Sequence, residues 1–89
     1  MISRNVTIIN RLGLHARAAT RLVNCASEFS SEVLVKKAAR SVNGKSIMGV
    51  LTLAASTGTE LTIEASGDDE QLAVEALVQL INNRFGEDE

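Results

Sequence analysis

The sequence predicts an α+β fold in which helices pack on one face of an antiparallel sheet. Three observations predict it. Periodicity along the chain gives the order strand, helix, strand, strand, helix, strand, helix. Residues 60–66 alternate Leu61, Ile63 and Ala65 with Glu60, Thr62, Glu64 and Ser66. That pattern has one dry face and one wet face, as in an antiparallel sheet covered on a single side. The helical segments carry apolar stripes that must then share the covered face. The result is a two-layer sandwich, and 89 residues suit a single domain over 1–89.

The β-branched run over residues 4–9 predicts the first strand. Asn10 to Leu14 form a loop containing Gly13. Residues 16–27 predict a helix, with Ala19, Leu22, Val23 and Ala26 at helical spacing, and Phe29 closes its apolar face. Residues 32–37 and 40–43 predict a hairpin that Gly44 ends. Ser46 is a good N-cap for a short helix over 47–51, because its hydroxyl accepts from an orphan amide. Asp68, with Gln71 three residues on, predicts a capping box for the last helix. Its stripe is expected to be Leu72, Ala73, Ala76, Leu77, Leu80 and Ile81. Gly86 is expected to end this helix and leave Glu87-Asp88-Glu89 as a frayed acidic tail.

Composition narrows the function. Phe29 and Phe85 are the only aromatic residues, which argues against single-stranded nucleic acid stacking on aromatic platforms. No apolar run approaches the ~20 residues of a membrane span, and no apolar signal segment opens the chain. With one cysteine, Cys25, no internal disulfide can form. A soluble, cytoplasmic protein is expected, with Cys25 as a small packing residue. Residues 1–45 carry eight basic and two acidic side chains (+6), and residues 46–89 one and nine (−8), which together give the net −2. Either the basic half forms a positive surface that steers an acidic partner, or folding interleaves the halves.

The chemistry centres on His15, the one histidine, in Gly13-Leu14-His15-Ala16-Arg17-Ala18. A turn delivers the imidazole to a helix start. The positive helix end disfavours the imidazolium and leaves a neutral nucleophile at neutral pH. The first-turn amides of Ala16, Arg17 and Ala18 lack helical partners, and the Arg17 guanidinium can neutralise phosphate oxygens. A zinc site lacks ligands, so no metal is expected. A chain this short leaves little room for a substrate pocket of several hundred cubic ångströms. No phosphate loop calls for a nucleotide, and no cofactor is expected.

Two motifs at this separation, Gly13-Leu14-His15-Ala16-Arg17 and Asn43-Gly44-Lys45-Ser46-Ile47-Met48-Gly49-Val50, resemble HPr. This family comprises the histidine-containing phosphocarriers of the bacterial phosphoenolpyruvate:sugar phosphotransferase system. The resemblance spans essentially the whole chain. It implies an open-faced β-sandwich, with a four-stranded antiparallel sheet covered on one face by three helices. It also implies that His15 accepts a phosphoryl group through Nδ1 from phospho-enzyme I and passes it to enzyme IIA components. The protein would then be a carrier and not an enzyme. Arg17 would stabilise charge during transfer, and Ser46 matches the serine phosphorylated by HPr kinase/phosphorylase. The family usually has proline where this chain has Ala18. Alanine keeps the helix and adds a donor near the phosphate.

The expected partner surface comprises a basic rim of Arg11, Arg21 and Lys45 with Thr20, Ile47, Met48 and Leu51. Periodicity alone would assign the apolar members to the core, whereas the resemblance turns the short helix toward partners. The expected state is a monomer. The alternative function is a regulatory module of the same fold, in a nitrogen-related branch or in catabolite control, acting by docking.

Overall fold

The computed structural model describes residues 1–89. Four strands, β1 (Ile2–Thr7), β2 (Glu32–Lys37), β3 (Arg40–Asn43) and β4 (Glu60–Ser66), form one sheet in the order β1-β4-β2-β3. Every neighbouring pair is antiparallel. Three helices, α1 (Ala16–Ser27), α2 (Ile47–Leu51) and α3 (Glu70–Asn82), cover one face, and a 3₁₀ turn follows at Arg84–Gly86. The architecture is the predicted α+β open-faced sandwich.

Register explains the single dry face. Val6 lies opposite Leu61, and Ile63 and Ala65 lie opposite Val35 and Val33. Side chains directly opposed across antiparallel strands share a face, so these residues make one apolar surface. All six are buried in one core with Ala18, Ala19, Leu22, Val23 and Ala26 of α1 and Ala73, Val74, Leu77 and Ile81 of α3. The other face is polar. There Lys36 pairs with Glu64 at 2.7 Å and the Thr62 hydroxyl donates to Asn5 at 2.8 Å.

Three expectations are corrected by tertiary contacts. First, β1 begins at Ile2, not residue 4, because Ile2 finds Ala65 as its partner. It stops at Thr7, where β4 begins opposite at Glu60, although the Ile8 amide still donates to Thr59 O at 2.9 Å. Second, the capping box at α3 does not form. Asp69, not Asp68, occupies the N-cap position and makes no side-chain cap bond. Its carboxylate accepts from the Ser30 and Ser31 amides at 2.9 and 3.0 Å and from the Ser31 hydroxyl at 2.5 Å. This clamp needs a close approach: a Cβ on Gly67, whose φ is +151°, would lie 2.6 Å from the Ser31 hydroxyl oxygen. Gln71 faces Glu75 instead, and Glu70 accepts from the Gly67 amide. Third, α3 is rotated relative to the expected stripe, with Val74 buried and Leu72 exposed. Leu80 is partly buried against the core and Ala76 is half-buried. The sheet and α1 select the face, and helical spacing alone permits either rotation.

The Ser31 hydroxyl and the Ser30 and Ser31 amides hold the Asp69 carboxyl at a pKa of about 2, against the opposing effect of burial. A carboxyl depressed on folding contributes stability above its unfolded pKa of ~3.9 and loses it as pH falls through the folded value. The contribution is thus full at neutral pH and disappears between about pH 4 and pH 2. Thermal melts across that range should show wild type losing stability faster than Asp69→Asn, which should already be less stable at pH 7.

Candidate functional site

The loop before α1 is fastened to the core at one point. Gly13 has φ +68°, and a Cβ there would meet Ala55 O at 2.7 Å. The Leu14 side chain is buried, and its amide donates to Ala55 O at 2.8 Å. The next residue, His15, has extended backbone (φ −79°, ψ −178°) and occupies the N-cap of α1. Its Nδ1 accepts from the Arg17 amide at 3.3 Å. An amide N–H can only donate, so Nδ1 presents its lone pair toward the helix start. The Ala16 and Ala18 amides have no backbone partner. The expected anion cradle thus has two amides without a backbone partner, and the third is held by the His15 ring.

The chain end is not frayed. Helix α3 stops at Asn82, before the expected glycine, and Arg84, Phe85 and Gly86 turn through φ values of +56°, +55° and +79°. Left-handed backbone at non-glycine residues costs roughly 1–3 kcal/mol each. Full burial of the Phe85 ring contributes roughly 1.5–3 kcal/mol in the opposite direction. Arg21 then donates to the Phe85 carbonyl. Beyond the turn, the Arg11 amide donates to Glu89 O at 2.9 Å, and the Arg11 guanidinium pairs with the Glu89 carboxylate at 2.6 Å.

Between these two anchors, Glu87 Oε2 lies 2.5 Å from His15 Nε2, and Glu87 Oε1 accepts from Asn10 at 2.9 Å. Burial opposes ionisation of Glu87. The bonds from Asn10 and His15, with the nearby charge of Arg21, outweigh it and hold the carboxyl below its usual range. With Nδ1 acting as acceptor, Nε2 carries the proton and donates it to Glu87. This carboxylate is a partner of the ring that the sequence did not reveal.

Folding the tail back builds a surface groove of about 670 Å³, larger than expected for so short a chain. It is lined by Arg11, His15, Arg17 and Arg21 together with the acidic tail. The basic and acidic halves of the chain are therefore interleaved at this site.

The other predicted residues divide into two groups. Arg17 is exposed in the groove beside His15. Arg11 and Arg21 also reach it, but both hold the tail. Thr20 is exposed, with its hydroxyl turned back to Ala16 O at 2.8 Å. Lys45 is not a free rim charge, since its ammonium donates to Phe29 O at 2.7 Å away from the groove. Ser46 caps α2 as expected, accepting from the Gly49 amide at 3.1 Å. Ile47 and Met48 are exposed, Met48 by 73%, while Leu51 packs against the core. Helix α2 lies against α1. Ala18 is fully buried. Cys25 is half-buried against the core, where burial and then the Glu28 charge push its thiol pKa up. No cluster of His, Cys, Asp or Glu is placed to hold a metal ion.

This geometry has known relatives. The family described as PTS HPr component phosphorylation site matches residues 2–83. The chain belongs to the HPr family of phosphotransferase-system phosphocarriers. It is 53% identical to the phosphocarrier protein HPr of Cupriavidus necator over 89 residues, covering all of both chains. The crystal structure of HPr-C-His from Thermoanaerobacter tengcongensis superposes with a TM-score of 0.96 at 46% identity, again covering both chains entirely. A structure described as an HPr dimer from the same organism matches with a TM-score of 0.79 at 47% identity, over 98% of this chain and all of that one. A monomer is therefore not universal among HPr relatives.

Phe85 links the fold to the site. Phe85→Ala should lower stability by about 3–5 kcal/mol in denaturant unfolding, as expected for a large buried ring. It should also release the tail. Hydrogen exchange should then show the Arg11 amide, bonded to Glu89, losing protection before the sheet does.

Proposed function

We propose that His15 accepts a phosphoryl group on Nδ1 from phospho-enzyme I and passes it to an enzyme IIA component, carrying phosphate in the cytoplasm toward sugar uptake. The observation that carries this reading is the orientation of the ring. Nδ1 keeps its lone pair at the start of α1, and Nε2 is engaged by Glu87. In the step, the Nδ1 lone pair gives up the Arg17 amide and forms the new P–N bond. The bond from phosphorus to the donor breaks, and its electron pair leaves with the donor. The ring becomes a phosphorylated imidazolium that retains its Nε2 proton. Reversal onto an acceptor regenerates neutral His15, so the protein is a carrier and is not itself the catalyst.

The surroundings suit a phosphoryl group. The unpartnered Ala16 and Ala18 amides and the positive end of α1 favour an anion beside Nδ1. The Arg17 guanidinium, exposed in the same groove, supplies charge for the spreading negative oxygens. The exposed Ile47 and Met48 on α2, next to α1, offer an adaptable apolar contact for partners. No helix is long and apolar enough to cross a membrane.

Ser46 is the proposed control point, phosphorylated by HPr kinase/phosphorylase. As an N-cap its hydroxyl already accepts from Gly49, so a phosphate there would be stabilised by the helix start. It would also add roughly two negative charges beside the exposed Ile47 and Met48 proposed as a partner contact.

Incubation with enzyme I and labelled phosphoenolpyruvate should give acid-labile label on wild type and none on His15→Ala. Equal label on both would overturn the acceptor assignment. Ser46→Asp should accept phosphate from enzyme I more slowly than wild type while folding at least as stably. A rate equal to that of wild type would remove Ser46 as a control point.

A further inference from the structure

We propose that Glu87 is a positioning residue for the transfer: its carboxylate holds the Nε2 proton of His15, aims Nδ1 at the incoming phosphorus and stabilises the cationic ring that phosphorylation creates. This rests on the reading of His15 as acceptor. The contact is built by several groups acting together. The Glu87 side chain is only 13% exposed, and its two oxygens have different partners, His15 and Asn10. Asn10 is fully buried and uses both protons of one nitrogen, one to Gly13 O at 2.8 Å and one to Glu87. The amide orientation is thereby settled, since reversing it would set an oxygen against a carbonyl and a carboxylate. Asn10 Oδ1 is left without a partner. A buried polar atom left unpaired is costly, and that cost is accepted here for the bond to Glu87. The flanking anchors, Phe85 in the core and Glu89 on Arg11, keep the carboxylate in place.

The charges facing His15 favour this role. Arg11, Arg17 and Arg21 line the groove together with Glu87, Asp88 and Glu89. Of the acids, Glu87 alone bonds to the ring. A neutral imidazole gains one positive charge when Nδ1 takes phosphorus. An anion bonded to Nε2–H is therefore attracted more strongly to the product than to the reactant, the condition for accelerating the step. Glu87 is held ionised at neutral pH by its partners. It bonds Nε2 and not Nδ1, so it does not block the phosphate.

The test uses the full chain with Glu87→Gln, which keeps size and removes charge. Its acceptance rate from enzyme I should fall about tenfold, the scale of one charge-assisted hydrogen bond. NMR titration of phosphorylated His15 should show the Nε2 proton lost about one pH unit lower in the variant, because the carboxylate no longer favours the cation. A purely structural role would not move that titration. An unchanged rate and titration on a chain that still labels at His15 would overturn the inference alone. Faster acceptance would also overturn it, making the tail a lid. No label on wild-type His15 would overturn the acceptor reading and this inference together.

Discussion

The sheet has only one dry face, and every later feature of the molecule follows from that. Strand register gathers Val6, Val33, Val35, Leu61, Ile63 and Ala65 onto a single surface. Water is excluded from it only if α1 and α3 lie side by side on the same layer. Loops at the ends of these helices then cluster along one edge of a small body. A loop that leaves β1 and enters α1, and a chain end that leaves α3, arrive within reach of each other because both helices are confined to the same face.

The site uses this confinement. His15 gains its orientation from two directions, neither of them catalytic in itself. From one side, Gly13 and Leu14 fasten the loop to Ala55 and set the N-cap geometry. From the other, the buried Phe85 ring anchors a turn of unfavourable backbone and delivers Glu87 to Nε2. The two ring nitrogens therefore have unlike neighbours, a backbone donor at Nδ1 and a carboxylate at Nε2. That asymmetry sets this ring apart from a histidine that merely caps a helix.

Charge in the groove is largely paired within the chain. The groove sets three arginines against three acids of the tail, and two of those arginines already bond the tail. Arg17 remains in the groove without such a tie, next to the His15 ring. An anion held there would meet an arginine and helix amides that lack backbone partners.

Local chemistry made much of this legible from the sequence. Helical spacing placed α1, alternation placed β4, and Ser46 was readable as a cap because an N-cap depends on residues adjacent in the chain. His15 at a helix start with Arg17 beside it was readable for the same reason. What the sequence could not determine depends on residues distant along the chain. Ile2 became a strand residue because Ala65 lies opposite it. Asp69 bonded to Ser30 and Ser31, across the α1–β2 loop, in place of its own helix. Leu72 lost its place in the core to Val74 when packing fixed the rotation of α3. Above all, the contact of Glu87 with His15 joins positions 72 residues apart. An acidic triplet after a glycine reads as solvated tail, because nothing in that pattern reveals that Phe85 will be buried and turn the chain back. The sequence determined which residue stands at the start of α1, and tertiary packing decided what holds its ring in place, because that depends on contacts between residues distant along the chain.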